Sequence, residues 1–583
     1  MNQLIVRTLP LLLSGMLLLS YATSEGASAT ATSLATAEKT TATTAGQVVV
    51  NRQMEDMAVK EYRDSTADHS KFTQLQKEFD NGPEVTKACL ECHTEAAKQV
   101  HKTLHWTWEY TNPKTGQKLG KKNVVNNFCT STRSNETFCS ACHIGYGWKD
   151  DSFDFSSEEN VDCLVCHDTT RKYKKIPGLS GHPNYERIET PPHSGKFREA
   201  TDLTLIAQNV GKTSRATCGA CHFRGGGGDA VKHGDLDSSL TNPRRYLDVH
   251  MDANGLDFSC AVCHLTDSHE VSGSRYAPTA ADSGAMIVRG NKGGDRNPTT
   301  CQACHGTKPH GEEAAAKLND HTDRIACQSC HIPTFARGNK PTKMSWNWET
   351  AGRLDENSKR IRIRNSGGQI GYDSKKGDFT YESHVIPKYR WFDGNIKYTL
   401  FGDEIDPTKM VEINKFMGSA DDPDSRIWPV KEFTGRQPID VEKKTLAIFH
   451  TAGDDDSAFW GNYDWDKALT VGMKAAGAEY SGEMAFVDTK MSWPITHMVA
   501  PKEDALSCKQ CHQKGGRMDE IDGIYMPGRD AIEWMDTMGF GVAFLALLGV
   551  LGHGGGRIYM HYRLHGRKED EQDSSTDSSE KQE

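Results

Sequence analysis

The chain has 583 residues, of which 36% are hydrophobic, and a formal net charge of −10. The acidic balance excludes nucleic acid as a natural partner. The apolar share is thin for the three or four domains that the length alone suggests. Seventeen cysteines and 24 histidines are where the composition is informative.

In chain order, Arg7, the short apolar run Leu9 to Tyr21 and Ala27-Ser28-Ala29 read as a signal peptide over residues 1–29, a run too short to span a bilayer. Residues 30–75 open with Thr, Ala, Ser and Gly and read as a flexible leader.

Residues 76–345 form a body that carries seven of eight Cys-x-x-Cys-His units. These are Cys89-Cys92-His93, Cys139-Cys142-His143, Cys163-Cys166-His167, Cys218-Cys221-His222, Cys260-Cys263-His264, Cys301-Cys304-His305 and Cys327-Cys330-His331; the eighth, Cys508-Cys511-His512, lies in a segment spanning 491–530. Two thiols at this spacing reach the two vinyl groups of one porphyrin, and the next residue supplies an axial nitrogen to its iron. Zinc sites need no His directly after each Cys pair, and a thioredoxin-type site uses one pair, not eight. The motifs therefore imply eight haem c groups. Porphyrin faces then replace apolar side chains in the core, and the expected fold is mainly α, with long irregular loops packed around the haems and little sheet.

Each iron has a proximal ligand in its motif: His93, His143, His167, His222, His264, His305, His331 and His512. The candidates for distal ligands are His105, His233, His250, His269, His310, His321 and His497, with His69, His101, His182, His193, His384 and His450 in reserve. Seven distal imidazoles leave one iron short. The second motif continues His143-Ile-Gly-Tyr-Gly-Trp-Lys149, and a Lys after two glycines can curl over a haem face; an ordinary surface Lys is the alternative. Amine ligation needs the neutral form, which burial and the metal favour. Cys129, the thiol outside the motifs, precedes this unit and is a candidate for reaction with sulfur compounds or for plain burial.

Residues 346–490 lack a motif and hold six tryptophans, Trp346, Trp348, Trp391, Trp428, Trp460 and Trp465. This segment reads as an irregular, partly β cover on the haem body. The acidic runs Asp421-Asp422 and Asp454-Asp455-Asp456 are weighed as calcium sites, but they lack the spacing of a calcium loop and fit solvated surface better. Residues 531–560 contain an uncharged stretch, Met538 to Gly556, long enough to cross a bilayer, preceded by Trp534 and followed by Arg557, Arg563, Arg567 and Lys568. The expected arrangement is a periplasmic body, a single C-terminal anchor and a cytoplasmic tail over 561–583.

Several stretches together resemble the octahaem tetrathionate reductase family of c-type cytochromes. They are the second motif with its His-Ile-Gly-Tyr-Gly-Trp-Lys extension, His105-Trp-Thr-Trp, Gly225 to Asp237, Asp248-Val-His250-Met, His331-Ile-Pro-Thr and Pro494 to Lys502. The resemblance covers roughly residues 85 to 515, by motif matching. It implies a catalytic haem with Lys ligation, carried onto His143 and Lys149 here, and reduction of tetrathionate, nitrite or hydroxylamine. The chain has no Cys-x-x-Cys-Lys unit, unlike pentahaem nitrite reductases. Lys121, Lys122, Arg133 and Lys502 are candidates to steer an anion. The anchor implies a quinol-oxidising cytochrome b-type membrane partner. The competing reading is an electron-transfer cytochrome that wires the quinol pool to another acceptor and has no substrate of its own.

Overall fold

The computed structural model describes residues 67–190, 194–276, 278, 299–311 and 316–576. The signal peptide, most of the leader and His193 lie outside the described residues. Helix accounts for 27% of the chain and strand for 18%, so the fold is not mainly α.

The motif-bearing body is built from short helices. Many are single turns, such as Leu164–His167, Cys260–Cys263, Gln302–His305 and Cys508–Cys511. One turn is all that is needed to place two thiols and an imidazole on one side of the chain. Two helices are longer. α1 (Gly82–Leu90) starts at Asn81, whose Oδ1 accepts from the Glu84 N–H at 3.0 Å, and it delivers Cys89 in its last turn. α2 (Arg215–His222) starts with a capping box between Ser214 and Thr217 and carries the whole fourth motif.

The segment read as irregular is a nine-stranded sheet, and the expectation of little sheet is corrected. Its strands are β1 (Thr342–Asn347), β2 (Arg362–Arg364), β3 (Ile370–Asp373), β4 (Gly377–Glu382), β5 (Lys388–Phe392), β6 (Val411–Glu412), β7 (Arg426–Asp440), β8 (Thr445–Leu446) and β9 (Met484–Pro494). The order is β6-β9-β7-β1-β4-β3-β2, with β5 and β8 also on β7. β7 runs antiparallel to β9 from Val430↔Pro494 to Asp440↔Met484 and parallel to β1 through Thr434↔Ser345. β7 is buried along most of its length, so its sequence does not alternate as a half-exposed strand does. Trp346, Trp348, Phe433, Phe449, Met491 and Trp493 pack into one core, together with Leu469 and Met473 of α3 (Trp465–Ala475). Burial of side chains such as Phe433 and Met491 stabilises the fold by roughly 2 to 3 kcal/mol each.

The sheet grips the chain on either side of Cys129. Asn127 Nδ2 donates to Phe433 O at 3.0 Å, Gln437 Nε2 donates to Asn126 O at 2.7 Å, and Asn135 Nδ2 donates to Phe449 O at 3.1 Å. The sheet is therefore the fixed wall of the second-motif region as well as its cover.

The last described element is α4 (Glu533–Thr576), whose segment Glu533–His565 is long and apolar enough to cross a membrane. Its apolar side chains, including Phe540, Leu545 and Val550, are uncovered by protein.

Candidate functional site

One continuous cavity of about 4780 Å³ runs through the body, lined by all sixteen motif cysteines and seven of the eight motif histidines. Seven pairs of imidazoles face each other across it. The ring centroids are 6.5 Å apart for His69 and His93, 6.1 Å for His105 and His222, and 6.4 Å for His167 and His269. They are 6.0 Å apart for His250 and His305, 6.3 Å for His264 and His497, 6.3 Å for His310 and His331, and 6.0 Å for His321 and His512. Two imidazoles bound to one metal at about 2 Å per bond have centroids roughly 6 Å apart. The side chains thus fit haem c groups held between paired imidazoles. Six of the seven distal candidates stand opposite a motif histidine.

His233 is the exception and is corrected. It lines the cavity, but its ring packs on Trp493 at 5.3 Å, and its Nδ1 lies 3.8 Å from Asp235 Oδ1. Burial pushes its pKa down to about 4. The reserve residue His69 takes the remaining place, opposite His93.

Several of the outer nitrogens of the paired rings are oriented by neutral oxygens. His167, His264 and His512 bond through Nδ1 to the carbonyls of Gly211, Ser272 and Pro527 at 2.8, 2.9 and 3.1 Å. His269 and His310 bond to the side-chain carbonyls of Gln99 and Asn319 at 2.8 and 3.2 Å. Such contacts fix the tautomer and the ring plane.

The second motif differs from the other seven. His143 is fully buried away from the cavity, among Trp106, Trp108 and Trp148, whose ring centroids lie 5.3, 5.2 and 4.8 Å away. Its Nε2 donates to Trp106 O at 2.7 Å, and Nδ1 is left without a partner. Burial pushes its pKa down to about 3, so the ring is neutral. Lys149 is also corrected: it is exposed to solvent and does not line the cavity. The chain after His143 turns into a bridge between Gly145 and Val161, which leaves Lys149 in the bend beyond it, where an ammonium keeps its water.

A buried amine, that of Lys175, lines the cavity beside the second motif. Its side chain is 2% exposed, and Nζ donates to His143 O at 2.6 Å and Gly145 O at 2.9 Å. Asp162, also buried, lies 3.1 Å from it. Asp162 in turn accepts from Tyr146 OH at 2.8 Å and Tyr173 OH at 2.9 Å. Close packing here demands Gly181: with φ at +85°, a Cβ on it would stand 2.5 Å from Gly145 O. Motif spacing gives no signal for Lys175, because it arrives from the loop after the third motif.

Cys129 lines the same cavity. Burial pushes its thiol up, while Lys376, Lys343 and Lys121 oppose the shift. Lys376 and Lys121 line the wall with it; Lys121 Nζ sits 4.2 Å above the Trp108 ring and Lys376 Nζ 4.9 Å from that of Trp460. Farther along the wall are Arg360, Arg362 and Lys375. Of the other cations named from sequence, Lys122 lies over Phe155 at 5.0 Å, Arg133 donates to Ala476 O at 3.1 Å, and Lys502 sits on the cavity edge before the eighth motif. The acidic runs serve internal contacts: Asp455 accepts from His450 Nε2 at 3.0 Å, and Asp422 accepts from Ser425 Oγ at 2.7 Å. No group of three or more His, Cys, Asp or Glu side chains placed to hold a free metal ion occurs among the described residues.

Thiols of different motifs adjoin in a fixed order. Cys89 lies against Cys163, Cys142 against Cys221, Cys218 against Cys260, and Cys301 against Cys327. Cys166 is within electrostatic reach of Cys218, Cys263 of Cys301, and Cys330 of Cys511. The motifs therefore connect as 8-7-6-5-4, and the fourth is a three-way junction leading to the second and, through the third, to the first.

Comparison with known proteins agrees with this arrangement. Residues 343–515 match the family model of bacterial cytochrome c, and residues 88–168 match that of cytochrome c554 and c-prime. An uncharacterised protein of Archaeoglobus fulgidus is 25% identical over 229 residues, spanning 32% of this chain and 75% of that protein. The crystal structure of octahaem cytochrome c from Shewanella oneidensis is 40% identical with a TM-score of 0.66, covering 78% of this chain and 95% of that one. With its motifs gathered on one cavity and a solved relative matched over nearly its whole length, the chain belongs to the multihaem c-type cytochromes and holds haem c.

Proposed function

We propose that this chain is a membrane-anchored octahaem cytochrome c that reduces tetrathionate, or a related small sulfur or nitrogen oxyanion or hydroxylamine, at the haem attached to Cys139 and Cys142. The observation that carries the reading is the exception at the second motif: seven motif histidines face a second imidazole across the cavity, whereas His143 is turned away and Lys175 lines the cavity beside it. Lys175 replaces Lys149 as the amine ligand inferred from the family resemblance, held by Asp162 and the carbonyls of His143 and Gly145. Lys121 and Lys376 bind the anion, and Cys129 borders it. A haem bound here would pass on, one at a time from the neighbouring paired positions, the two electrons that split the central S–S bond of tetrathionate into two thiosulfates, with no proton needed. The seven paired positions serve electron supply from the eighth motif, next to α4. That helix anchors the protein to the cytoplasmic membrane with the body on the periplasmic face, beside a quinol-oxidising cytochrome b-type subunit.

The paired positions also support the alternative of a pure electron carrier. Anaerobic rapid mixing of the fully reduced protein with tetrathionate, nitrite, hydroxylamine and sulfite separates the two. Fast reoxidation by tetrathionate is the expected result, and a faster reaction with a nitrogen compound moves the substrate within the same site. No fast reoxidation by any of the four leaves the carrier.

A further inference from the structure

Asp235 is buried, and its Oδ2 accepts four hydrogen bonds: from Thr496 N–H at 2.8 Å, Thr496 Oγ1–H at 3.5 Å, His497 N–H at 3.1 Å and His497 Nδ1–H at 3.2 Å, the last nitrogen also standing 3.1 Å from Thr496 Oγ1. Among the described residues, His497 is the one paired imidazole with a carboxylate in hydrogen-bond range. The counterparts His167, His264, His269, His310 and His512 bond to neutral carbonyl oxygens, and Asp248 lies 3.9 Å from His250, too far for a bond.

A carboxylate draws the Nδ1 proton more strongly than a carbonyl does, which makes the other ring nitrogen a stronger donor to a metal. Stronger donation, undamped by water in a buried site, favours the ferric over the ferrous state. The thiol contacts place this fifth motif between motifs 8, 7 and 6 on one side and the junction at motif 4 on the other.

We infer that Asp235 is a positioning residue that lowers the reduction potential of the haem held by Cys260, Cys263, His264 and His497. A low potential at that place retains electrons on the junction side, where the second motif and the branch through the third to the first can hold them for a multi-electron substrate. The inference rests on reading His264 and His497 as the two ligands of one iron.

The test uses the full-length holoprotein. Near-infrared magnetic circular dichroism of the oxidised native protein should show one bis-imidazole component displaced to higher energy from the rest, the mark of histidinate character. In a spectroelectrochemical titration, Asp235→Asn should shift one of the lowest-potential components upward, leave the others in place and abolish the displaced band. Native bands that all coincide overturn the inference even if the variant does not assemble, and so does an Asp235→Asn protein with its full haem complement and an unchanged titration. His497→Ala separates the underlying reading: it converts one low-spin haem to high spin if that reading holds, and leaves the low-spin count unchanged if it does not.

Discussion

Lys175 Nζ stands 3.1 Å from the carboxylate of Asp162, and both side chains are out of water, 2% and 0% exposed. Asp162 also accepts from the Tyr146 and Tyr173 hydroxyls, so its carboxylate keeps three buried donors hydrogen-bonded. Asp162→Asn strips part of that bonding and should lower the stability read from the guanidinium midpoint of the holoprotein by about 1 to 3 kcal/mol. Lys87→Ala, in the exposed pair with Glu159 at 3.4 Å, should leave the midpoint where it is.

If Lys175 ligates the second-motif haem, Lys175→Met changes the spin state of one haem and reduces turnover with tetrathionate by at least about tenfold, the effect of losing roughly 1.4 kcal/mol of transition-state stabilisation. Lys149→Met, at an exposed position, leaves both unchanged. Low-temperature EPR counts the spin states, and a reduced-dye assay follows turnover. The opposite pattern would return the ligand role to Lys149.

The contrast between these two lysines shows what the sequence could carry. A covalent attachment motif is a local pattern, so all eight were legible, as was the apolar run of α4. Six of the histidines that face a motif histidine were picked out by their short offsets from the motifs or by the family resemblance. His233 and His69 were misordered because the choice depends on which imidazole crosses to another motif's cavity face, and spacing along the chain does not encode that. Lys175 was hidden for the same reason, since it lies beside a motif other than the one it follows. The sheet escaped because β7 is covered on both faces, which erases the alternation, and because its pairing with β1 joins segments about ninety residues apart, as in Thr434↔Ser345.

The cations at the second-motif wall distinguish substrates by charge. Lys376 faces the cavity beside Cys129, among the aromatic rings of Trp346 and Trp460. A charge near a binding anion in a partly dry cavity is worth on the order of 1 to 2 kcal/mol. Lys376→Met should raise KM for tetrathionate about tenfold and blunt its dependence on ionic strength. KM for hydroxylamine, which is not an anion, should stay within about twofold. Steady-state kinetics at two salt concentrations check both statements. Equal losses for both substrates would make Lys376 a structural residue.

Lys431 gives the fold a pH dependence whose sign is opposite to that of a surface ion pair. Its side chain is wholly buried in β7 and donates to Val231 O at 3.2 Å, Lys232 O at 3.1 Å and Thr342 Oγ1 at 2.6 Å. Burial pushes its pKa from 10.5 down to about 7, against the pull of Asp235. Between these two values the unfolded chain binds the proton more tightly than the folded one. The contribution of this residue to stability is therefore fully present above about pH 10.5 and is lost progressively as pH falls toward 7. Each unit of displacement is worth about 1.4 kcal/mol, so the whole effect amounts to a few kcal/mol. Lys431→Met removes the titration. Denaturation midpoints of the native protein and the variant, measured from pH 7 to 10, should diverge in favour of the native protein as pH rises, because the amine loses its charge while two N–H donors remain for its oxygen partners. Parallel curves would mean that the ammonium is as well solvated by those three oxygens as by water.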